Sequence, residues 1–124
     1  MASDESEQRP LYWVGSSLRD LRGFPAHVQD AFGFALHLVQ EGLHPRGAKN
    51  LRGLGPGIME LREEHEGRAF RAVYVARFEQ CVYVLHTFVK KSRSGISTPS
   101  IELDRVKYRL REAEADYANR FDGR

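Results

Sequence analysis

The sequence predicts an α+β domain: an antiparallel sheet of about four strands packed with two N-terminal helices and one C-terminal helix. Three observations predict it. Residues 57–89 hold three successive runs rich in Val, Tyr and Phe, joined by the short links Glu66-Gly67 and Glu79-Gln80, the pattern of a β-meander. Residues 24–42 place Val28, Phe32, Ala35, Leu36 and Val39 on one stripe at helical spacing. Residues 98–121 repeat the device with Leu103, Val106, Leu110, Ala113 and Tyr117 at steps of three and four. At 124 residues and 41% hydrophobic content, the chain has material for one core and one domain.

The elements follow in order. Residues 1–10 are polar, carry Asp4, Glu5 and Glu7, and end in Pro10, so a disordered acidic tail is expected there. "LYWVG" (11–15) is a short run of β-favouring residues. "SSLRDLRG" (16–23) predicts one or two helical turns, with Ser17 and Asp20 spaced as in a capping box. In the next helix Pro25 suits the first helical position and Gly42 the stop. Residues 43–57 form a loop rich in Gly and Pro that also carries Arg46, Lys49 and Arg52. Such a loop can cradle phosphate through its backbone N–H groups, but it has no GxxxxGK[ST] pattern.

Of the three meander runs, "GIMELREEH" (57–65) alternates, with Met59 and Leu61 on one face and Glu60, Arg62 and Glu64 on the other. In "RAFRAVYVARF" (68–78) Arg71 and Arg77 share a face with Val73 and Val75. "CVYVLHTFV" (81–89) is apolar on both faces, as a central strand is, and leads directly into Lys90, Lys91 and Arg93. Thr98 suits an N-cap and Pro99 the first position of the last helix. The domain is expected over residues 11–120, with a disordered C-terminus at 121–124.

Several function classes lose support at this stage. No apolar run reaches the roughly 18–20 residues of a membrane span, and with no charged-then-apolar opening segment nothing reads as a signal peptide. A single cysteine, Cys81, fits a reducing cytoplasm and makes no internal disulfide. It opens an apolar strand, where a buried structural thiol is expected. The five histidines show no HExxH spacing and no cysteine partners, so neither a metal nor another cofactor is expected. No Ser lies in GxSxG. The charge is more telling. The net value of +2 hides an acidic tail, beyond which 19 basic residues face 14 acidic ones. Arg62, Arg71, Lys90 and Lys91 fall on three adjacent strands, and Lys49 precedes them. Either Glu60 and Glu64 turn these into an ion-pair network, or they hold an anion such as nucleic acid.

Residues 16–62, then "AFRAVYVAR", then "VYVLHTFVKKSRSGISTPSIELDRVKYRLRE" resemble the RelE superfamily, and more narrowly its phage-derived, HigB-like toxin branch. The resemblance spans about residues 11–118. It rests on the "ELR" strand, the "FR" opening of the next strand, and "LHTFVKKS…TP" feeding the last helix. It implies a RelE-like fold and a toxin of a type II toxin–antitoxin system: a metal-independent, cytoplasmic endoribonuclease that cuts mRNA on the ribosome. Arg62, Arg71, Lys90 and Lys91 match the family's basic catalytic residues. Lys49, Arg52 and Arg93 would bind substrate, and His86 or Tyr74 would serve as acid or base. The implied partners are mRNA, the ribosome and a neighbouring helix-turn-helix antitoxin, through which alone operator DNA would be met. The chemistry is consistent: the RNA 2′-OH supplies the nucleophile, and fixed cations stabilise the charge that gathers on phosphorus. Two alternatives stay open, a non-catalytic RNA- or ribosome-binding phage remnant of the same fold, and a protein acting mainly in repression of its own operon.

Overall fold

The structure, a computed structural model, describes residues 8–91 and 98–122. The elements are β1 (Leu11–Trp13), α1 (Ser17–Arg22), α2 (Ala26–Gln40), β2 (Lys49–Asn50), β3 (Ile58–His65), β4 (Arg68–Val75), β5 (Val82–Lys91), α3 (Ser100–Tyr117) and a π-helical turn over Ala118–Asp122. The fold is α+β, consistent with a RelE-like domain. The sheet, however, has five strands in the order β1-β5-β4-β3-β2 and is mixed. β1 lies parallel to β5, with Leu11, Tyr12 and Trp13 opposite Val82, Tyr83 and Val84. The fifth strand is β2, a two-residue piece of the glycine-rich loop that pairs Lys49 with Glu60 and Asn50 with Met59. Two residues carry no periodicity, so the sequence shows only a loop there.

β3 and β4 form a hairpin in full register from Ile58–Val75 to His65–Arg68. Its two-residue turn holds Glu66 at φ 52° and Gly67 at φ 75°, the left-handed pair that matches strand twist. β4 and β5 pair antiparallel, with a bulge between Val73 and Tyr74 that leaves Leu85 as the extra residue. The bulge lets Leu85 pack in the α3-side core while its neighbour His86 reaches α3 as well. Beyond it, Phe88 faces the same side as Arg71.

The sheet separates two cores. On one face α1 and α2 bury Leu21, Val28, Phe32, Leu36 and Val39 against Leu61, Phe70, Ala72, Tyr74 and Val84. On the other α3 packs Val106 and Ala113 against Ile58, Val73, Val75, Tyr83 and Leu85. Both faces of β4 and β5 are therefore covered, which explains their continuous apolar runs. Cys81 is buried in the second core, where desolvation raises its thiol pKa.

Local expectations are adjusted at the helix ends. Pro25 and Pro99 sit one position earlier than predicted, as caps with extended ψ of 148° and 149°. Thr98 does not cap α3; its hydroxyl donates to Glu60 at 3.0 Å. Ser17 and Asp20 form no capping box. Ser16 donates to Asp20 at 2.8 Å, and the buried Ser17 hydroxyl donates to the Val84 carbonyl. α2 ends at Gln40 with Glu41 as its C-cap, and the predicted stop, Gly42, follows at φ 85°, with the Leu43 N–H returning to the Leu38 carbonyl at 2.9 Å.

The boundaries also move. Arg9 is fastened to the domain: its guanidinium donates to the Phe78 and Val39 carbonyls, and its carbonyl accepts from Gln40. At the other end Phe121 packs on Tyr117, and Arg120 lies 4.0 Å over the Tyr12 ring. The remainder of the predicted tails, residues 1–7 and 123–124, lies outside the described residues. Among the described residues no helix is long and apolar enough to cross a membrane.

Gly57, which opens β3, has φ +79°, and a Cβ there would stand 2.6 Å from the Arg77 Cβ. Gly57→Ala is expected to destabilise the fold by about 1–3 kcal/mol through left-handed strain plus this contact. Urea titration of the two proteins measures it.

Candidate functional site

Strand register fixes what meets on the α3 side of the sheet. One row runs Lys49, Glu60, Val73, His86; the next runs Arg62, Arg71, Phe88; the third runs Glu64, Ala69, Lys90. Carboxylate and cation thus alternate along β3, as Glu60, Arg62 and Glu64, with Lys49 of β2 opposite Glu60 and Arg71 of β4 opposite Arg62. α3 covers the Val73 end of this face. Towards the β2 edge the face opens into a cleft of about 1030 Å³, lined by Lys49, Arg52, Glu60, Arg62, Glu64 and Thr98 among others. Three cations and two carboxylates therefore face one concavity.

The two arginines at its centre differ. Arg71 is fully buried. Its Nη1 donates to the Glu60 carboxylate at 3.3 Å and to the Thr98 hydroxyl at 3.4 Å. Burying a guanidinium costs several kcal/mol unless a carboxylate and hydrogen bonds compensate it, and Glu60 and Thr98 supply both. Arg62 is its cross-strand neighbour but stays 29% exposed and pairs with the exposed Glu64. An exposed pair of this kind is worth little to the fold, so Arg62 can exchange Glu64 for another anion at small cost.

The other sequence-predicted residues fall into three groups. Lys49 and Arg52 are exposed on the cleft wall. Lys90 is half-buried in the third row, and Lys91 ends β5 with its backbone opposite Arg68. The side chain of Lys91 and the whole of Arg93 lie outside the described residues. Tyr74 and His86 are placed away from the cleft. Tyr74 is 1% exposed in the core under α1 and α2, on the opposite face from Arg62, and burial pushes its phenol up to about 12. Strand alternation put it there, one residue out of phase with Arg71 and Val73. His86 is 2% exposed and locked between sheet and helix. Arg109 can only donate, and its Nη1 lies 3.2 Å from Nδ1, so Nδ1 is the acceptor. Nε2 then carries the proton and donates to Glu102 at 2.6 Å. Burial lowers the pKa of this imidazole, which favours that neutral form. With both nitrogens engaged, His86 ties β5 to α3 rather than facing a substrate.

Sequence reasoning treated Glu60 only as a charge-balancing residue and missed Thr98 as part of the site. The signal for Glu60 was present: it alternates with Arg62 on the same strand face. Thr98 carried none, because its contact spans 38 residues of chain. Among the described residues no group of three or more His, Cys, Asp or Glu is arranged to hold a metal ion.

Residues 19–111 match the family described as Phage derived protein Gp49-like (DUF891). The chain belongs to this family. Gp49-like proteins are phage-derived and toxin-like, of RelE type. The matched span runs from α1 through most of α3 and so contains every described residue of the cleft. No curated protein matches the chain. No solved structure does either.

Two outcomes follow from this Gp49-like site. Arg71→Ala leaves Glu60 half-enclosed without its counter-ion and is expected to cost about 3–5 kcal/mol, while Arg62→Ala costs at most about 1 kcal/mol; urea unfolding separates them. The second concerns pH. The folded-state pKa of His86 lies below its ordinary value of 6.5, so below pH 6.5 the unfolded chain binds the proton more readily. Its stabilisation is complete above pH 6.5 and declines as pH falls through the folded-state value. Unfolding free energies measured from pH 6.5 downward should fall more steeply for the native chain than for His86→Gln.

Proposed function

We propose that this Gp49-like protein is the toxin of a type II toxin–antitoxin pair, of the HigB-like kind, and that it cuts mRNA as a metal-independent endoribonuclease. The observation that carries the reading is the open cleft in which Lys49, Arg52 and the replaceable Arg62 surround Glu60. A phosphodiester seated there meets cations that lose little by binding it. RNA brings its own nucleophile, so the protein needs only to orient the strand, take a proton and stabilise charge.

The roles follow the geometry. Arg62 holds the scissile phosphate and stabilises the negative charge of the transition state. Glu60 accepts the proton of the 2′-OH, the 2′-oxygen bonds to phosphorus, and the P–O5′ bond breaks. Lys49, opposite Glu60 on β2, protonates the departing 5′-oxygen. The products are a 2′,3′-cyclic phosphate and a 5′-hydroxyl. Arg71 is buried behind Glu60 and acts by positioning that carboxylate. This replaces the direct phosphate contact expected from the sequence, because a guanidinium with no exposed surface does not meet RNA. Tyr74 and His86 are replaced as proton carriers by Glu60 and Lys49 for the same reason, burial. Arg52, Lys90, Lys91 and Arg93 would engage flanking phosphates of mRNA or the ribosome in the cytoplasm. Each such contact should add about 0.7 to the logarithmic salt slope of binding to single-stranded RNA. A small helix-turn-helix protein encoded beside the toxin would neutralise it and carry any contact with operator DNA.

Induction in a bacterial host, with primer-extension mapping of mRNA ends, tests the reading. The native chain should arrest growth and generate new 5′ ends. Arg62→Ala should cut about 10²–10³-fold more slowly, the usual loss for one transition-state donor, with its fold intact. Ribosome or RNA binding without new mRNA ends would overturn catalysis in favour of a non-cutting RNA-binding protein.

A further inference from the structure

Helix α2 carries more apolar surface than its core stripe uses. Val28, Phe32, Leu36 and Val39 are buried, yet Phe34 remains 66% exposed on the same helix. Phe34 and Leu38, one turn apart, line a groove of about 240 Å³ between α2 and the Pro45–Gly47 loop. That volume accommodates one or two large aliphatic side chains. The rim is charged, with Arg46 and Arg62 against a single acid, Glu63. Gly47 and Arg62 also line the larger cleft, so the groove adjoins it at these two residues.

We propose that this groove receives the inhibitory protein partner, through an acidic amphipathic segment. The inference rests on the toxin reading above and names the surface on which that toxin is silenced. The apolar side of the segment, with side chains at helical spacing, would fill the groove beside Phe34 and Leu38. Its carboxylates would pair with Arg46 and Arg62, on the side away from Glu63. Two features select such an occupant. An apolar groove alone accepts any greasy segment, but a rim with excess guanidinium favours an anionic one. An RNA base can stack on Phe34, but it does not fill the aliphatic groove beside Ala35 and Leu38 as an apolar side chain does. The consequence for activity is direct. Arg62 pairs with Glu64 at a solvent-exposed position, and a partner carboxylate that replaces Glu64 occupies the guanidinium otherwise available to the phosphate. The partner would thus inhibit from beside the cleft without filling it.

The test uses the full chain and the small protein encoded by the adjacent reading frame, with binding measured by calorimetry and cutting by mRNA end mapping. Phe34→Glu places a carboxylate in the groove on an exposed site that the fold does not need. It should raise the Kd for the partner at least tenfold while leaving the cutting rate unchanged, and Phe34→Leu should bind close to the native level. Phe34→Glu binding within threefold of native, or the absence of any complex with the native chain, overturns the proposal. Weakened mRNA binding with unchanged partner affinity overturns it as well and assigns the groove to RNA. Should the native chain fail to cut mRNA while Phe34→Glu still loses the partner, the ribonuclease reading falls and the docking surface stands.

Discussion

A guanidinium with no exposed surface must be answered within the protein, and in this domain Arg71 is that group. Glu60 on the adjacent strand and Thr98, arriving from just before α3, offset part of its desolvation. These contacts join β3, β4 and the start of the last helix at one point. Glu60, held by Arg71 and by the Thr98 hydroxyl, then looks into the cleft in a fixed position. The packing and the candidate chemistry share one constraint: the buried charge that steadies the fold also orients the carboxylate that faces the site.

A second junction keeps the rest of α3 in place. His86 is joined to Glu102 and Arg109 of that helix, and Arg109 reaches on to the Leu85 carbonyl and the Ser16 hydroxyl. The bulge in β5 makes this possible by letting Leu85 and His86 both serve the α3 side. Farther along, Tyr83 donates to Asp116, and Tyr117 stacks on Phe78 at 4.3 Å. Polar contacts set the helix register, while Val106 and Ala113 supply the burial. One end of the sheet face is closed by this arrangement and the other is left to the cations.

Legibility in the sequence followed the range of the interaction. The stripe Val28, Phe32, Leu36, Val39 and the seam through Val106 and Ala113 repeat at helical spacing, and all six are buried. Alternation along β3 separated Met59 and Leu61 from Glu60, Arg62 and Glu64, as the two faces of the strand do. The two-residue hairpin at Glu66-Gly67 was equally plain. β2 was not legible, since two residues show no period. The parallel placement of β1 beside β5 was not either, because it joins segments about 70 residues apart and leaves no local pattern.

The candidate site divides in the same way. By itself the sequence determined that Arg62 and Arg71 would be neighbours on one face, because hairpin register and strand alternation are local and periodic. Only the tertiary structure decided that Arg71 is buried and Arg62 open, and that His86 is spent on α3. It also decided that Tyr74 lies in the opposite core and that Glu60 and Lys49 face each other. Those outcomes depend on how much water each side chain keeps. That quantity is set by α3 and the 98–99 segment crossing from remote parts of the chain, and no spacing within a strand encodes it.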